Sequence, residues 1–178
     1  MKKFILLSAI CTCTLASTSL LAQTDKPSLS LGTETGIPTG NLSLITPLGL
    51  GGSLKLIVPV TKNVAVTASG GYLYWLKKNY YGESIGGFHS ILFKGGIRVS
   101  IDKGFYVEPE AGYATFGKDA TADQEGGSNG GFTYAGNIGY VIGKKFDISA
   151  RYESSHIDGL NFNQVGVRLA YNFSLAGK

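Results

Sequence analysis

Val165-Gly166-Val167-Arg168-Leu169-Ala170-Tyr171-Asn172-Phe173 alternates without a break: large apolar side chains hold the odd positions, and small, polar or charged ones hold the even. Period two is the spacing of a β-strand, which sends successive side chains to opposite faces. One face of this stretch is wholly apolar; the other carries the guanidinium of Arg168. Seven further stretches repeat the pattern, at 28–38, 48–60, 64–76, 90–101, 105–116, 131–142 and 146–154, and the quoted residues belong to an eighth at 162–173. Each is close to the ~9 to 11 residues with which a tilted strand crosses a bilayer.

The connections alternate in length. Thr61-Lys62-Asn63, Asp102-Lys103-Gly104 and Gly143-Lys144-Lys145 read as tight turns, whereas 39–47, 77–89, 117–130 and 155–161 read as longer loops with turn residues such as Gly82, Gly126, Gly127, Asn129 and Asp158. An even strand count with both chain ends on the short-turn side predicts an all-β fold: an eight-stranded antiparallel up-and-down transmembrane β-barrel, with termini and tight turns in the periplasm and loops outside.

Charge sorts by phase. Every in-strand charge, namely Glu34, Lys55, Lys94, Arg98, Glu108, Glu110, Asp147, Arg151, Glu153 and Arg168, falls opposite the apolar face. A soluble barrel would turn that apolar face inward and the charges to water. The rings argue for the inverse. Tyr72, Tyr74, Tyr113, Phe132, Tyr134 and Tyr152 gather near the loop ends of the apolar face, and Phe105, Tyr140, Phe146, Tyr171 and Phe173 near the turn ends. Val107, Ala111, Ile138, Ile148, Ala150 and Val167 lie between them. Two aromatic belts around an aliphatic waist match the girdles at the two lipid–water interfaces. Pro109 sits where a ladder hydrogen bond is expected, and a local bulge is predicted there.

Residues 1–22 have the form of a signal peptide, with Lys2-Lys3, the apolar run from Phe4 to Ile10 and Ala22 before a polar break. Cleavage there leaves a barrel domain over 23–178 and removes both cysteines, Cys11 and Cys13, so no disulfide or thiolate site is expected in the remainder. Neither cysteine has the small residue before it that lipidation requires. Serines and threonines between Ser8 and Ser19 interrupt the apolar run too often for a spanning helix, and no later segment is apolar for the ~18 residues one needs. The 26 glycines and ten tyrosines fit an all-β chain. The net charge of +4, half of it from Lys2 and Lys3, gives no reason to expect a nucleic-acid partner.

Gly36-Ile37-Pro38-Thr39-Gly40, Lys94-Gly95-Gly96-Ile97-Arg98, Phe105-Tyr106-Val107-Glu108-Pro109-Glu110-Ala111-Gly112-Tyr113 and Gly166-Val167-Arg168-Leu169-Ala170-Tyr171-Asn172-Phe173 carry a further signal. Through them the chain resembles the small outer-membrane β-barrel proteins of Gram-negative bacteria, related in architecture to the OmpA transmembrane domain and OmpX. The resemblance implies a cell outer-membrane location and folding by the barrel-insertion machinery after periplasmic chaperones. It also implies an aromatic insertion signal, for which Phe173 is the candidate, followed here by Ser174 to Lys178.

Three functions follow as expectations. An eight-stranded barrel is just wide enough for its own side chains. Its five inward acids and five inward bases therefore predict a salt-bridged plug, a closed monomeric scaffold, and contacts with lipopolysaccharide or a surface ligand made by outer loops, including Lys77-Lys78-Asn79-Tyr80-Tyr81 and 117–130. The alternative is a narrow porin-like channel for ions or small polar solutes. A lipid A-modifying enzyme would need a cooperating His and Ser. His89 and His156 adjoin Ser90 and Ser155, but neighbours in a strand point to opposite faces, so plain loop histidines and no catalysis are expected. No cofactor or metal constellation is present in the sequence.

Overall fold

The computed structural model describes residues 26–44, 46–80, 83–85, 87–118 and 128–175. The expected signal peptide and both cysteines lie outside these, as does much of the 117–130 loop. Among the described residues there are ten strands: β1 (Ser28–Thr39), β2 (Gly49–Pro59), β3 (Val64–Trp75), β4 (Lys78–Tyr80), β5 (Glu83–Ile85), β6 (Phe88–Asp102), β7 (Phe105–Lys118), β8 (Ser128–Ile142), β9 (Phe146–Ile157) and β10 (Leu160–Ser174). Eight of them close into an antiparallel barrel in the order β1-β10-β9-β8-β7-β6-β3-β2, while β4 and β5 form a separate hairpin in the second loop. Closure leaves the barrel itself without an exposed strand edge, the one β solution in which a lipid-embedded backbone is fully hydrogen-bonded.

The alternation read from the sequence sets the faces. Burial alternates strictly from Asp147 to Glu153 in β9 and from Gln164 to Ala170 in β10, with the inward residues buried, while Ile148, Val167, Leu169 and Phe173 are exposed. Exposed aliphatic and aromatic side chains run around the whole outer surface, including Leu31, Leu54, Phe93, Ile97 and Ile138. A face of this kind is stable only against lipid.

Three features differ from the sequence reading. The last outer connection is not a loop over 155–161 but the two-residue turn Asp158-Gly159, closed by the pair Ile157 and Leu160. Both turn residues have positive φ, 51° and 77°, as a type I′ hairpin demands, and its twist matches the flanking strands so that they extend fully. Secondly, no bulge occurs at Pro109, which faces outward and pairs with Gly136. Gly96 to Glu110 and Val99 to Val107 share one register, so the proline removes a donor without inserting a residue. The β6–β7 register shifts instead between Ser100 and Asp102, beside the tight turn. Thirdly, β6, β8 and β10 run to 15 residues. At about 3.4 Å per residue and a tilt of about 40°, such strands rise about 39 Å. That exceeds the ~25 Å apolar band, so their ends stand clear of it.

Candidate functional site

The lumen is built from the inward phase of all eight barrel strands and divides by height. At the end that carries the chain termini, Arg98 of β6 lies with its guanidinium carbon 3.7 Å from the centre of the Tyr106 ring. The Tyr106 hydroxyl donates to Asp147 at 2.6 Å. Gly139 makes room for that ring, since a Cβ there would lie 2.4 Å from it.

From Asp147 the ten inward charges form one unbroken line in which acid and base alternate. Asp147 meets Arg98 at 3.0 Å, and Arg98 Nε meets Glu108 at 2.6 Å. Lys55 joins Glu108 at 2.6 Å to Glu110 at 3.0 Å, and Lys94 joins Glu110 at 3.5 Å to Glu153. Arg151 then connects Glu153 at 3.6 Å to Glu34 at 2.6 Å, and Arg168 ends the line 3.5 Å from Glu34. All ten are buried. The bridges mostly span strands that are not neighbours: Lys55 reaches from β2 to β7, and Lys94 from β6 to β9.

Neutral partners take up further lone pairs. Thr67 donates to Glu108 at 3.1 Å, Ser69 to Glu110 at 3.2 Å, Asn137 to Glu110 at 3.0 Å and Gln164 to Glu153 at 2.5 Å. Arg168 donates to the hydroxyls of Ser53 and Ser30 at 2.8 and 3.1 Å. Ions taken from water are tolerable only when paired and hydrogen-bonded in this way.

Towards the loop end the lumen changes character, in a manner the charge sorting did not reveal. Leu42, Leu73, Trp75, Phe88, Leu92 and Ala114 form a buried apolar cluster, with Phe116 and Phe162 packed against it. Rings pack across it: Trp75 stacks on Phe88 at 5.8 Å and Phe116 on Phe162 at 5.3 Å, while Phe88 lies tilted against Phe116 at 5.9 Å. The indole Nε1 donates to Ser90 at 3.1 Å, so the one polar atom of Trp75 is satisfied. Gly49 supplies the gap in which the indole lies; a Cβ there would approach it to 2.9 Å. Leu42 comes from a 3-10 turn at Gly40–Leu44 that folds over the mouth. The signal for this cluster was present as Tyr72-Leu73-Tyr74-Trp75 and Ile91-Leu92-Phe93, runs apolar on both faces, as strands buried on both sides are.

The aromatic side chains assigned to two belts all point outward. Near the terminal end Phe105 packs on Tyr140 at 4.5 Å, Phe146 on Tyr171 at 5.2 Å and Tyr171 on Phe173 at 4.8 Å. Near the loop end Phe132 and Tyr134 lie 6.4 Å apart, and Tyr72, Tyr113 and Tyr152 are exposed beside the less exposed Tyr74. The histidines are strand residues, not loop residues, because β6 and β9 extend further than expected. His89 stacks on Tyr72 at 5.8 Å, while Ser90 points inward to Trp75. Exposed His156 contacts Asn161 at 2.7 Å, while Ser155 points inward to Thr133. Asp158 instead accepts from Asn129 at 2.6 Å. Each histidine and its neighbouring serine thus face opposite sides of the wall.

A closed eight-stranded wall, apolar outside and charge-filled within, is accompanied by a match to the family model of the outer membrane protein β-barrel domain over residues 8–173. The chain belongs to that family. As an outer membrane β-barrel it is an integral outer-membrane protein, and its fold recurs in solved structures. Ail, the attachment invasion locus protein of Yersinia pestis, in complex with the heparin analogue sucrose octasulfate, aligns with a TM-score of 0.62 at 18% identity, covering 83% of this chain and 98% of Ail. Ail in a phospholipid bilayer nanodisc gives 0.57 at 16% identity, with 83% and 99% covered. The N-terminal β-barrel domain of Pseudomonas aeruginosa OprF gives 0.57 at 13% identity, with 82% and 97% covered. Comparison with curated proteins returned no match.

Proposed function

We propose that this outer membrane β-barrel is a closed, monomeric and non-enzymatic scaffold whose loop end makes contacts outside the cell. The observation that carries the reading is the unbroken line of ion pairs from Asp147 to Arg168, capped by the apolar cluster around Trp75. Moving an ion through it would require parting pairs whose loss costs about 3–5 kcal/mol each. A narrow porin-like channel is the weaker reading for that reason. A lipid A-modifying activity is weaker still, since His89 and His156 face away from Ser90 and Ser155.

The loop end offers the hairpin of β4 and β5, with exposed Lys77 before it, and the β8–β9–β10 tip, where His156, Asn161, Asn129 and Asp158 present hydrogen-bonding groups. Lys77 and the side-chain amides of Asn129 and Asn161 supply donors that suit anionic sugars and lipopolysaccharide phosphates. That Ail was solved with a heparin analogue supports testing the same ligand class here. Export through a signal peptide over 1–22, chaperoned transit and insertion directed by Phe173 complete the proposal. The outward belts, Phe105, Tyr140, Phe146, Tyr171 and Phe173 at one height and Tyr72, Tyr74, Tyr113, Phe132, Tyr134 and Tyr152 at the other, then sit at the two interfaces.

Single-channel recording of refolded protein in a planar bilayer tests the closed lumen. Silence from folded protein is expected; discrete, salt-dependent openings that change on neutralising Arg98 would overturn it. Loss of heparin or lipopolysaccharide binding on replacing 77–87 and 117–130 with short turns is expected of the loop contacts, and unchanged binding would refute them.

A further inference from the structure

The end of the lumen opposite the apolar cluster is open, and its chemistry is one-sided. A cup of about 580 Å³ lies there, between the tight turns and the chain termini, with Arg98 and Tyr106 lining its wall towards the barrel interior. Lys62, Lys144 and Lys145 line it at the turns, and Asn172 faces it from β10. Among the described lining residues there is no carboxylate. Asp147 stands behind Arg98 and is engaged by Arg98 and Tyr106, while Asp102, at the same end of the barrel, accepts from the backbone of Lys103.

The cup is also more than a patch of surface lysines. Arg98 is 6% exposed, its Nε and Nη1 are held by Glu108 and Asp147, and its buried Nη2 has no hydrogen-bond partner among the described residues. An unused guanidinium donor in a wall is costly to bury unless a ligand or ordered water completes it. Since the ten charges of the interior line balance one another, the turn lysines are not neutralised from within.

We infer that this cup is an anion site for a phosphate group, carried either by a soluble periplasmic molecule or by a lipid headgroup of the facing leaflet. Arg98 binds phosphate through the donor that its carboxylates leave over, and Lys62, Lys144 and Lys145 close around it. The volume is several times that of a phosphate, so the organic body attached to it is accommodated as well. The site is at the opposite end of the barrel from the proposed surface contacts and does not depend on them.

The test uses the processed protein refolded in nanodiscs of zwitterionic phosphatidylcholine, titrated calorimetrically with inorganic pyrophosphate. Lys62→Gln, Lys144→Asn and Lys145→Gln are combined, asparagine being chosen because Lys144 has φ 63° and asparagine tolerates that conformation. Binding that weakens at least about tenfold in the triple variant and with added salt, but not in Lys77→Gln at the other end, is the expected result. Arg98→Lys, which keeps a cation for Glu108 and Asp147, is expected to weaken it further. Unchanged affinity in Arg98→Lys overturns the assignment of the wall donor. Nanodiscs containing phosphatidylglycerol distinguish the sources: lost pyrophosphate binding assigns the cup to headgroups, and retained binding to a soluble anion. Absence of binding in zwitterionic discs, or equal binding by the triple variant, overturns the site.

Discussion

Between Asp147 and Arg168 the lumen is filled by charges, each of which has partners fixed by direction and distance. A few residues further up, around Trp75 and Phe88, it is filled by rings and aliphatic groups that need only fit. Both fillings occupy the same barrel, but they fail differently. An ion removed from the line leaves its partner buried and uncompensated, so the cost belongs largely to the atoms that remain. A ring removed from the cluster takes its contacts with it and leaves a cavity that neighbours partly fill. A lumen of this width thus stays closed by two independent means, one highly specific in pairing and the other tolerant.

The sharpest way to break the comparison is Glu108→Ala. It deprives both Lys55 and Arg98 of a shared carboxylate, and is expected to cost about 4 kcal/mol, read from equilibrium urea unfolding in lipid vesicles. Trp75→Ala is expected to cost about 3 kcal/mol by the same measurement. Its planar-bilayer trace should stay silent because the ion-pair line is intact; openings in Trp75→Ala would mean that the apolar cluster is the true seal. Coupling energies sharpen the contrast. A double-mutant cycle on Lys94→Met and Glu153→Gln is expected to give about 2 kcal/mol. One on Phe116→Ala and Phe162→Ala is expected to give about 1 kcal/mol. Equal values would show that directionality adds nothing here. The smallest effect expected is Gly159→Ala, which forces a Cβ into φ 77° at the last outer turn and should cost about 1 kcal/mol while leaving both fillings undisturbed. A change in the coupling energies of either pair in that background would mean that turn and lumen communicate.

Much of the site was legible in advance because strand phase is a one-dimensional property. The alternation around Arg168, Arg98 and Glu108 identified every member of the ion-pair line, and the tight turns at 61–63, 102–104 and 143–145 identified the barrel's terminal end. What was misread depended on backbone detail or on three-dimensional placement. Asp158-Gly159 looked like the centre of a loop, because a turn dipeptide in sequence does not declare how far its flanking strands extend. Pro109 looked like a bulge, although an exposed proline can sit in register by forgoing one hydrogen bond. Trp75, Phe88, Phe116 and Phe162 lie in the inward phase, but a search for charges passed over them.

The sequence by itself determined the number of barrel strands, the faces and which charges are inward, since period-two patterning needs no knowledge of neighbours; the short β4–β5 hairpin went unread. It could not determine that Lys55 meets Glu108, that Lys94 meets Glu153, or that Arg98 is left with a nitrogen to spare. Those pairings cross a lumen between strands distant in the chain, and the tilt and stagger of the closed barrel decide which side chains share a height. Only closure brings them together.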